Sequence, residues 1–297
     1  MRIGAPELIT PARAMALLET NKANRRIRPL HIADLVAKIK LGQWRATHQG
    51  IALDCDGNLI DGQHRLWAVV ESNTAVHMVV AYDCDPENYR VIDTGIVRSI
   101  ADTAGTGTVV TAMCSALIQS IVRTSVKSDN DLTAMCRKYY GDLIDECASV
   151  VHRAGVPSSM RAAFVLRMAD EPHRRSYLLD QLRLCAAQNQ AMAPQLWAIL
   201  RRNLSVRQSS REVFLRTYWG LAIQRGNYAK LLAVPFDRAN DEAIEAHKRC
   251  SPELVEATQR YYGIVTRQRN AWTRRNAKEV MGDKPPSVIK PAVMALY

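Results

Sequence analysis

Residues 57–70 read Gly-Asn-Leu-Ile-Asp-Gly-Gln-His-Arg-Leu-Trp-Ala-Val-Val, and they leave the backbone little choice. Leu59-Ile60 is extended and follows the turn-rich run Asp54-Cys55-Asp56-Gly57-Asn58. From Leu66 to Val70 the apolar pattern is helical. A strand must therefore hand over to a helix at the Asp61-Gly62 step. The N–H groups and dipole of a helix start favour an anion. Gly62 permits a backbone conformation and a closeness of approach that a side chain would block. Arg65 can grip phosphate oxygens bidentately, and Gln63 and His64 add donors. The glycine spacing and Lys-Ser/Thr pair of a Walker loop are absent. The residues alone support two readings equally. One is a phosphate site; the other is a tight turn in which Asp61 caps the helix and Arg65 makes a surface salt bridge.

The flanking sequence predicts mixed α/β structure over roughly the first hundred residues. Thr10-Pro11 is an N-cap followed by a first-turn proline, so a helix runs over Pro11 to Glu19. Ile32, Leu35, Val36 and Ile39 repeat at helical spacing, with Gly42 as terminator. Gly50 to Leu53 and Leu59-Ile60 form a hairpin, Val76 to Tyr82 reads as one buried strand, and Asp85-Pro86-Glu87 starts a short helix. Gly105-Thr106-Gly107-Thr108 is the best boundary, because strand signals nearly vanish beyond it. Helices are predicted over Thr108 to Arg123, Gly141 to Ala154, Ser159 to Ala169 and Ser210 to Arg225. Ser209 and Glu212 supply a capping box for the last of these. Ser251-Pro252-Glu253 opens a final long helix, followed by a proline-containing tail from about Gly282. The expected fold is α+β: an α/β domain over residues 1–105, then an all-helical domain over 106–297.

No apolar run is long enough to span a bilayer and the N-terminus lacks a signal-peptide layout, so the expected compartment is the cytosol. The seven cysteines are odd in number, scattered and without a CxxC pair, which argues against a disulfide framework or a zinc site. The net charge of +11 is segregated: residues 1–105 carry 12 basic and 12 acidic side chains, so residues 106–297 hold all of it. Such a surface attracts polyanions. Arg201, Arg202, Arg207, Arg211 and Arg216 form one basic cluster. Arg267, Arg269, Arg274, Arg275 and Lys278 form another, near Tyr261, Tyr262 and Trp272. Arginine with interleaved aromatics suits DNA phosphate contacts and base stacking. Amphipathic helices with a solvated charged face, or helix contacts within a homodimer, are the other readings of the same stripes. No helix-turn-helix sequence is clear enough to assign a recognition helix.

The stretch Ile60-Asp61-Gly62-Gln63-His64-Arg65-Leu66-Trp67-Ala68-Val69-Val70 resembles the phosphate-binding motif of the ParB/sulfiredoxin superfamily. It is most similar to the phage-type DGQHR-motif proteins. ParB proteins carry a Gly-Glu-Arg-Arg-x-Arg-Ala-like version, sulfiredoxins Gly-Cys-His-Arg, and the serine kinases of this fold Asp-Gly-His-His-Arg. The frame is similar too: Asn24-Arg25 and Gly42-Gln43-Trp44 before the motif, and Ile92-Asp93-Thr94-Gly95 with Arg98 after it. The resemblance covers residues 8–105 well and the helical half weakly.

The resemblance implies a nucleoside triphosphate site, for ATP or CTP with Mg2+. Gly62, Gln63, His64 and Arg65 would hold the phosphates, with Asp61 orienting Arg65, assisting the metal or acting catalytically. Asp93 and Arg98 stand near the family's second nucleotide motif without matching its spacing, and Asn24 and Arg25 would close over the site. A turn cap at Asp93 and a solvated Asn24-Arg25 pair are the plainer alternatives. Departures narrow the activity. Gln63 replaces the sulfiredoxin cysteine, so that repair chemistry lacks its nucleophile. Gln63 and His64 also replace a ParB glutamate and arginine. Kinase chemistry needs a carboxylate for which Glu19 alone offers itself, on no motif. The expected function is a nucleotide-binding, DNA-associated protein of a bacterial or phage-infected cell; the alternative is a nucleotide hydrolase, kinase or nuclease of such a pathway.

Overall fold

In this computed structural model the described residues are 1–21, 27–85, 107–122, 129–150, 156–205, 208–222 and 235–276. The fold is mixed α+β, with eleven α-helices and six short strands among them. Packing divides the chain into two compact units, Met1–Ile96 with Tyr261–Tyr297, and Val97–Arg260. The division is discontinuous where the sequence reading is a single cut near residue 105: the last helix begins in the second unit and ends in the first.

The first unit opens with β1 (Arg2–Ile3), β2 (Glu7–Ile9) and α1 (Pro11–Glu19). As expected, Thr10 caps α1, its side chain accepting from the Arg13 N–H, and Pro11 occupies the first turn. α2 (Pro29–Lys40) buries Ile32, Val36 and Ile39, and Gly42 follows it at φ +69°. β3 (Ile51–Asp54) and β4 (Leu59–Asp61) form the expected hairpin. The Asp54 carboxylate accepts from the N–H groups of Asp56 and Asn58, which closes the turn. α3 (Gln63–Ser72) comes directly after β4.

The run from Val76 to Tyr82 is not one strand. It divides at Val79 into β5 (Val76–Met78), paired with β2, and β6 (Val80–Cys84), paired with β1 and β3. The sheets are therefore β1-β6-β3-β4, with β3 and β6 parallel, and β2-β5. Val79 is where the chain changes sheets, and its carbonyl accepts from the Ile51 N–H at 2.9 Å. The core beneath joins Ile9, Ile32, Val36, Ile51, Leu66 and Val80 with Trp272 of the last helix. Trp67 and Trp272 meet edge to face, 5.3 Å between centroids.

The second unit is helical throughout its described residues: α4 (Thr108–Ile121), α5 (Asn130–Ser149), α6 (Ser158–Asp170), α7 (Arg175–Ala186), α8 (Pro194–Ser205), α9 (Ser210–Ala222), α10 (Phe236–Cys250) and the start of α11 (Pro252–Asn276). α5 begins eleven residues before the expected Gly141, because Asp129 caps its N-terminus and Leu132, Cys136, Tyr140, Ile144 and Cys147 form a buried stripe running through the glycine. A mid-helix glycine lowers propensity by about 1 kcal/mol, which a buried stripe overrides. α6 is buried on almost every side and packs against α4, α5, α7, α9 and α10. Its two buried arginines both donate to backbone carbonyls. Arg161 donates to those of Cys147 and Val150 at the end of α5, and Arg167 to Tyr218 while pairing with Glu171 at 2.8 Å. The helices expected from Asp85 and up to Ala154, and the tail from Gly282, involve residues outside those described.

Candidate functional site

The Asp61-Gly62 junction lies where the sequence predicts it, between the end of β4 and the start of α3. Gly62 has φ +104°, a conformation L side chains rarely adopt. A Cβ there would lie 3.2 Å from the Gly50 carbonyl oxygen, from Ile51 Cα and from Ile51 Cγ1. The glycine thus allows the helix start to press against the beginning of β3. Its own carbonyl accepts from the Arg65 and Leu66 N–H groups at 2.9 and 3.0 Å, closing the first turn. As a glycine, it supplies no capping side chain.

The two side chains after it turn inward. Gln63 is 2 % exposed, and its Oε1 accepts from Asn21 Nδ2 at 3.2 Å. His64 is 5 % exposed, and its Nε2 accepts the Arg28 N–H at 3.0 Å. That bond requires an unprotonated Nε2 and ties the start of α2 to the start of α3. The His31 ring lies 5.3 Å away. Arg65 stays at the rim, its side chain 24 % exposed. It donates to the Gly50 carbonyl at 3.0 Å, reaches Gln49 Oε1 at 3.5 Å, and faces Asp61 at 3.7 Å. The helix start and a guanidinium therefore share one junction, and Gly50, Asn21 and Arg28 support it. No local signal in the sequence marks Asn21 or Arg28 as part of this junction. Gly50 carried the one available signal, a glycine directly before a strand. Its Cβ would stand 1.7 Å from the Val79 carbonyl oxygen, so no side chain fits there.

Asn24, Arg25, Asp93 and Arg98 lie outside the described residues, as do Arg207 and Lys278; α11 includes Arg274 and Arg275, whose side chains also lie outside them. The remaining basic candidates belong to different units. Arg267 and Arg269 are exposed on the first-unit part of α11, and Arg267 donates to the Gly263 carbonyl. In the second unit Arg201 is exposed, 5.9 Å from the Trp197 ring centroid, whereas Arg202 is half-buried and Arg211 turns inward to donate to Asn240 Oδ1 at 3.0 Å.

Two other features of the second unit have the look of sites. His247 lies between Ser120 Oγ, 2.8 Å from Nε2, and the Tyr140 hydroxyl, 2.8 Å from Nδ1; Ser251 Oγ is 2.7 Å from that hydroxyl. The Ser120 hydroxyl donates to the Leu117 carbonyl, so His247 Nε2–H donates to Ser120 and Nδ1 accepts from Tyr140. All four residues are at most 1 % exposed, which makes the set a sealed structural network rather than a nucleophile with its base. Burial holds His247 neutral and pushes its pKa down to about 3. A recess of about 280 Å³ is lined by Arg137, Lys138, Tyr139 and Arg175, but Asp145, Glu253 and Glu146 pair with its cations. No group of three or more metal-ligating side chains occurs among the described residues, and no helix there is long and apolar enough to cross a membrane.

Comparison with protein-family models, with curated proteins and with solved structures finds no match to this chain.

Proposed function

We propose that the chain binds a nucleoside triphosphate at the Asp61–Arg65 junction and that the bound phosphates bias its engagement of DNA. The observation that carries this reading is Gly62. Its left-handed turn, pressed on Gly50 and Ile51, brings the N-terminal end of α3 and the Arg65 guanidinium to one place. A helix N-terminus favours negative charge and a guanidinium matches phosphate oxygens. The similarity of the motif to ParB/sulfiredoxin sequences points the same way. In this reading Gln63 and His64 contribute backbone N–H groups, since their side chains serve Asn21 and Arg28. Asp61 faces Arg65 at 3.7 Å and would be the carboxylate to assist a nucleotide-borne Mg2+. The DNA half rests on the net charge of +11 and on exposed Arg201, Arg267 and Arg269. Nucleotide hydrolysis is the second reading, favoured by the Asp61 carboxylate, 31 % exposed beside Arg65.

The test is titration of the full chain with ATP and with CTP in the presence of Mg2+, with and without duplex DNA, following both binding and phosphate release. Saturable binding without release, altered by DNA, supports a nucleotide-biased binder. Sustained release makes the chain a hydrolase. Absence of binding by either nucleotide at millimolar concentration overturns the reading.

A further inference from the structure

From Tyr261 onward α11 belongs to the first unit, and there its surface is two-sided. On the inward side the Tyr261 hydroxyl donates to Asp34 Oδ1 on α2, Ile264 packs against the core, and Val265 and Trp272 are buried. The outward side carries Arg267 and Arg269, both exposed. Trp272 ends the inward row, and its ring meets Trp67 of α3 edge to face. Trp67 follows Gln63 by four residues. It therefore stands one turn into the helix whose start the proposed nucleotide would meet.

The contact between the two rings is incompletely satisfied. Both are 5 % exposed, and both indole N–H groups are buried with no hydrogen-bond partner. A buried tryptophan N–H usually finds an acceptor, and an unmet donor loses the bond it would make to water. Burial of two large rings favours the docked helix, while two unmet donors in one contact oppose it. The opposing effects narrow the free-energy gap between docked and released Trp272, so a ligand needs less differential affinity to shift the balance. Phosphates at the start of α3 would firm its first turn, on which the placement of Trp67 depends. A firmer Trp67 favours the docked partner. With Trp272 docked, Arg267 and Arg269 are held on one fixed face, in advance of any contact with a duplex backbone.

We propose that the Trp67–Trp272 contact transmits nucleotide occupancy to DNA binding. Nucleotide firms the start of α3, Trp272 docks, the α11 arginines are fixed for a duplex backbone, and each ligand tightens the other. This rests on the nucleotide and DNA reading given above. Trp67 and Trp272 are positioning residues in this role.

The experiment titrates the full chain with a labelled duplex, with and without saturating ATP or CTP and Mg2+, and records Tm alongside. In the wild type, nucleotide should tighten duplex binding about five-fold or more, and duplex should tighten nucleotide by the same factor, because coupling is reciprocal. Trp272→Ala removes the docking ring. Its duplex affinity should stay at the weaker value with or without nucleotide, while nucleotide still binds. Replacing Trp67 by benzothienylalanine keeps the shape of the ring and removes the unmet donor. Nucleotide-free duplex affinity should then rise toward the nucleotide-bound value of the wild type, leaving an enhancement under about two-fold. This second variant decides the matter should Trp272→Ala not fold. Wild-type enhancement in either folded variant overturns the proposal. So does nucleotide that binds the wild type without tightening duplex binding, in which case the nucleotide site itself stands. A wild type that binds no nucleotide sinks both together.

Discussion

Gly62→Ala probes the junction without touching any charge. At φ +104° an L residue carries strain of about 1–2 kcal/mol. The new methyl would also meet three atoms of Gly50 and Ile51 at 3.2 Å, two of them backbone atoms that cannot rotate aside. Relieving those contacts moves β3 or opens the first turn of α3, at a further cost of about 1–2 kcal/mol. The sum is about 2–4 kcal/mol, or a fall in Tm of roughly 5–15 °C for a unit of this size. Gly57→Ala is the matched comparison: its φ is +78° and nothing lies within 4 Å of the added Cβ, so it carries the backbone term alone. Urea unfolding of both variants, followed by circular dichroism, separates strain from crowding. A loss for Gly62→Ala no larger than that for Gly57→Ala would refute the close approach of the helix start to β3.

Other perturbations follow from the same geometry. Gly50→Ala would put its Cβ 1.7 Å from the Val79 carbonyl oxygen and should prevent the first unit from folding, read as loss of protease resistance there. His247 is buried neutral with a pKa of about 3, below the ordinary value of 6.5. Its contribution is therefore fully present above pH 6.5 and is lost as pH falls from there toward 3, by up to about 1.4 kcal/mol per pH unit. A His247→Gln variant should show a shallower acid limb in urea midpoints measured against pH. Arg161→Met should lower stability by about 3 kcal/mol, because it leaves the Cys147 and Val150 carbonyls without their donor in an interior that Arg161 fills at 1 % exposure. Equilibrium denaturation checks it, and a loss under about 1 kcal/mol would contradict the capping role.

Local signals made much of the architecture legible. Thr10-Pro11, the Asp54–Asn58 turn, the Ser209–Glu212 box and Asp61-Gly62 all carry their structure within a few residues, and each falls where its chemistry puts it. What was not legible depends on partners distant in sequence. Val76 to Tyr82 is uniformly strand-like, and only pairing with β2 on one side and with β1 and β3 on the other divides it at Val79. Gly141 signals a break that a buried stripe overrides. Arginines read as one surface stripe sort by burial into exposed Arg201 and inward Arg211 and Arg216, which periodicity alone cannot distinguish. At the candidate site the turn and Arg65 were readable, but the use of Gln63 and His64 as internal acceptors depends on Asn21 and Arg28, more than thirty positions earlier.

Arg65 is the most direct test of the nucleotide site. Nucleotide affinity and thermal unfolding are measured together for the wild type, Arg65→Ala and Arg65→Lys. Loss of a charge-assisted contact of about 1.5–3 kcal/mol weakens nucleotide binding roughly ten- to hundredfold in the alanine variant. Lysine restores only part of this, because an ammonium lacks the planar fork. Both variants remain folded, with a fall in Tm of a few degrees from the lost bond to the Gly50 carbonyl. An Arg65→Ala protein that binds nucleotide as tightly as the wild type, whatever its melting temperature, would contradict the site and leave Arg65 as a brace between α3 and β3.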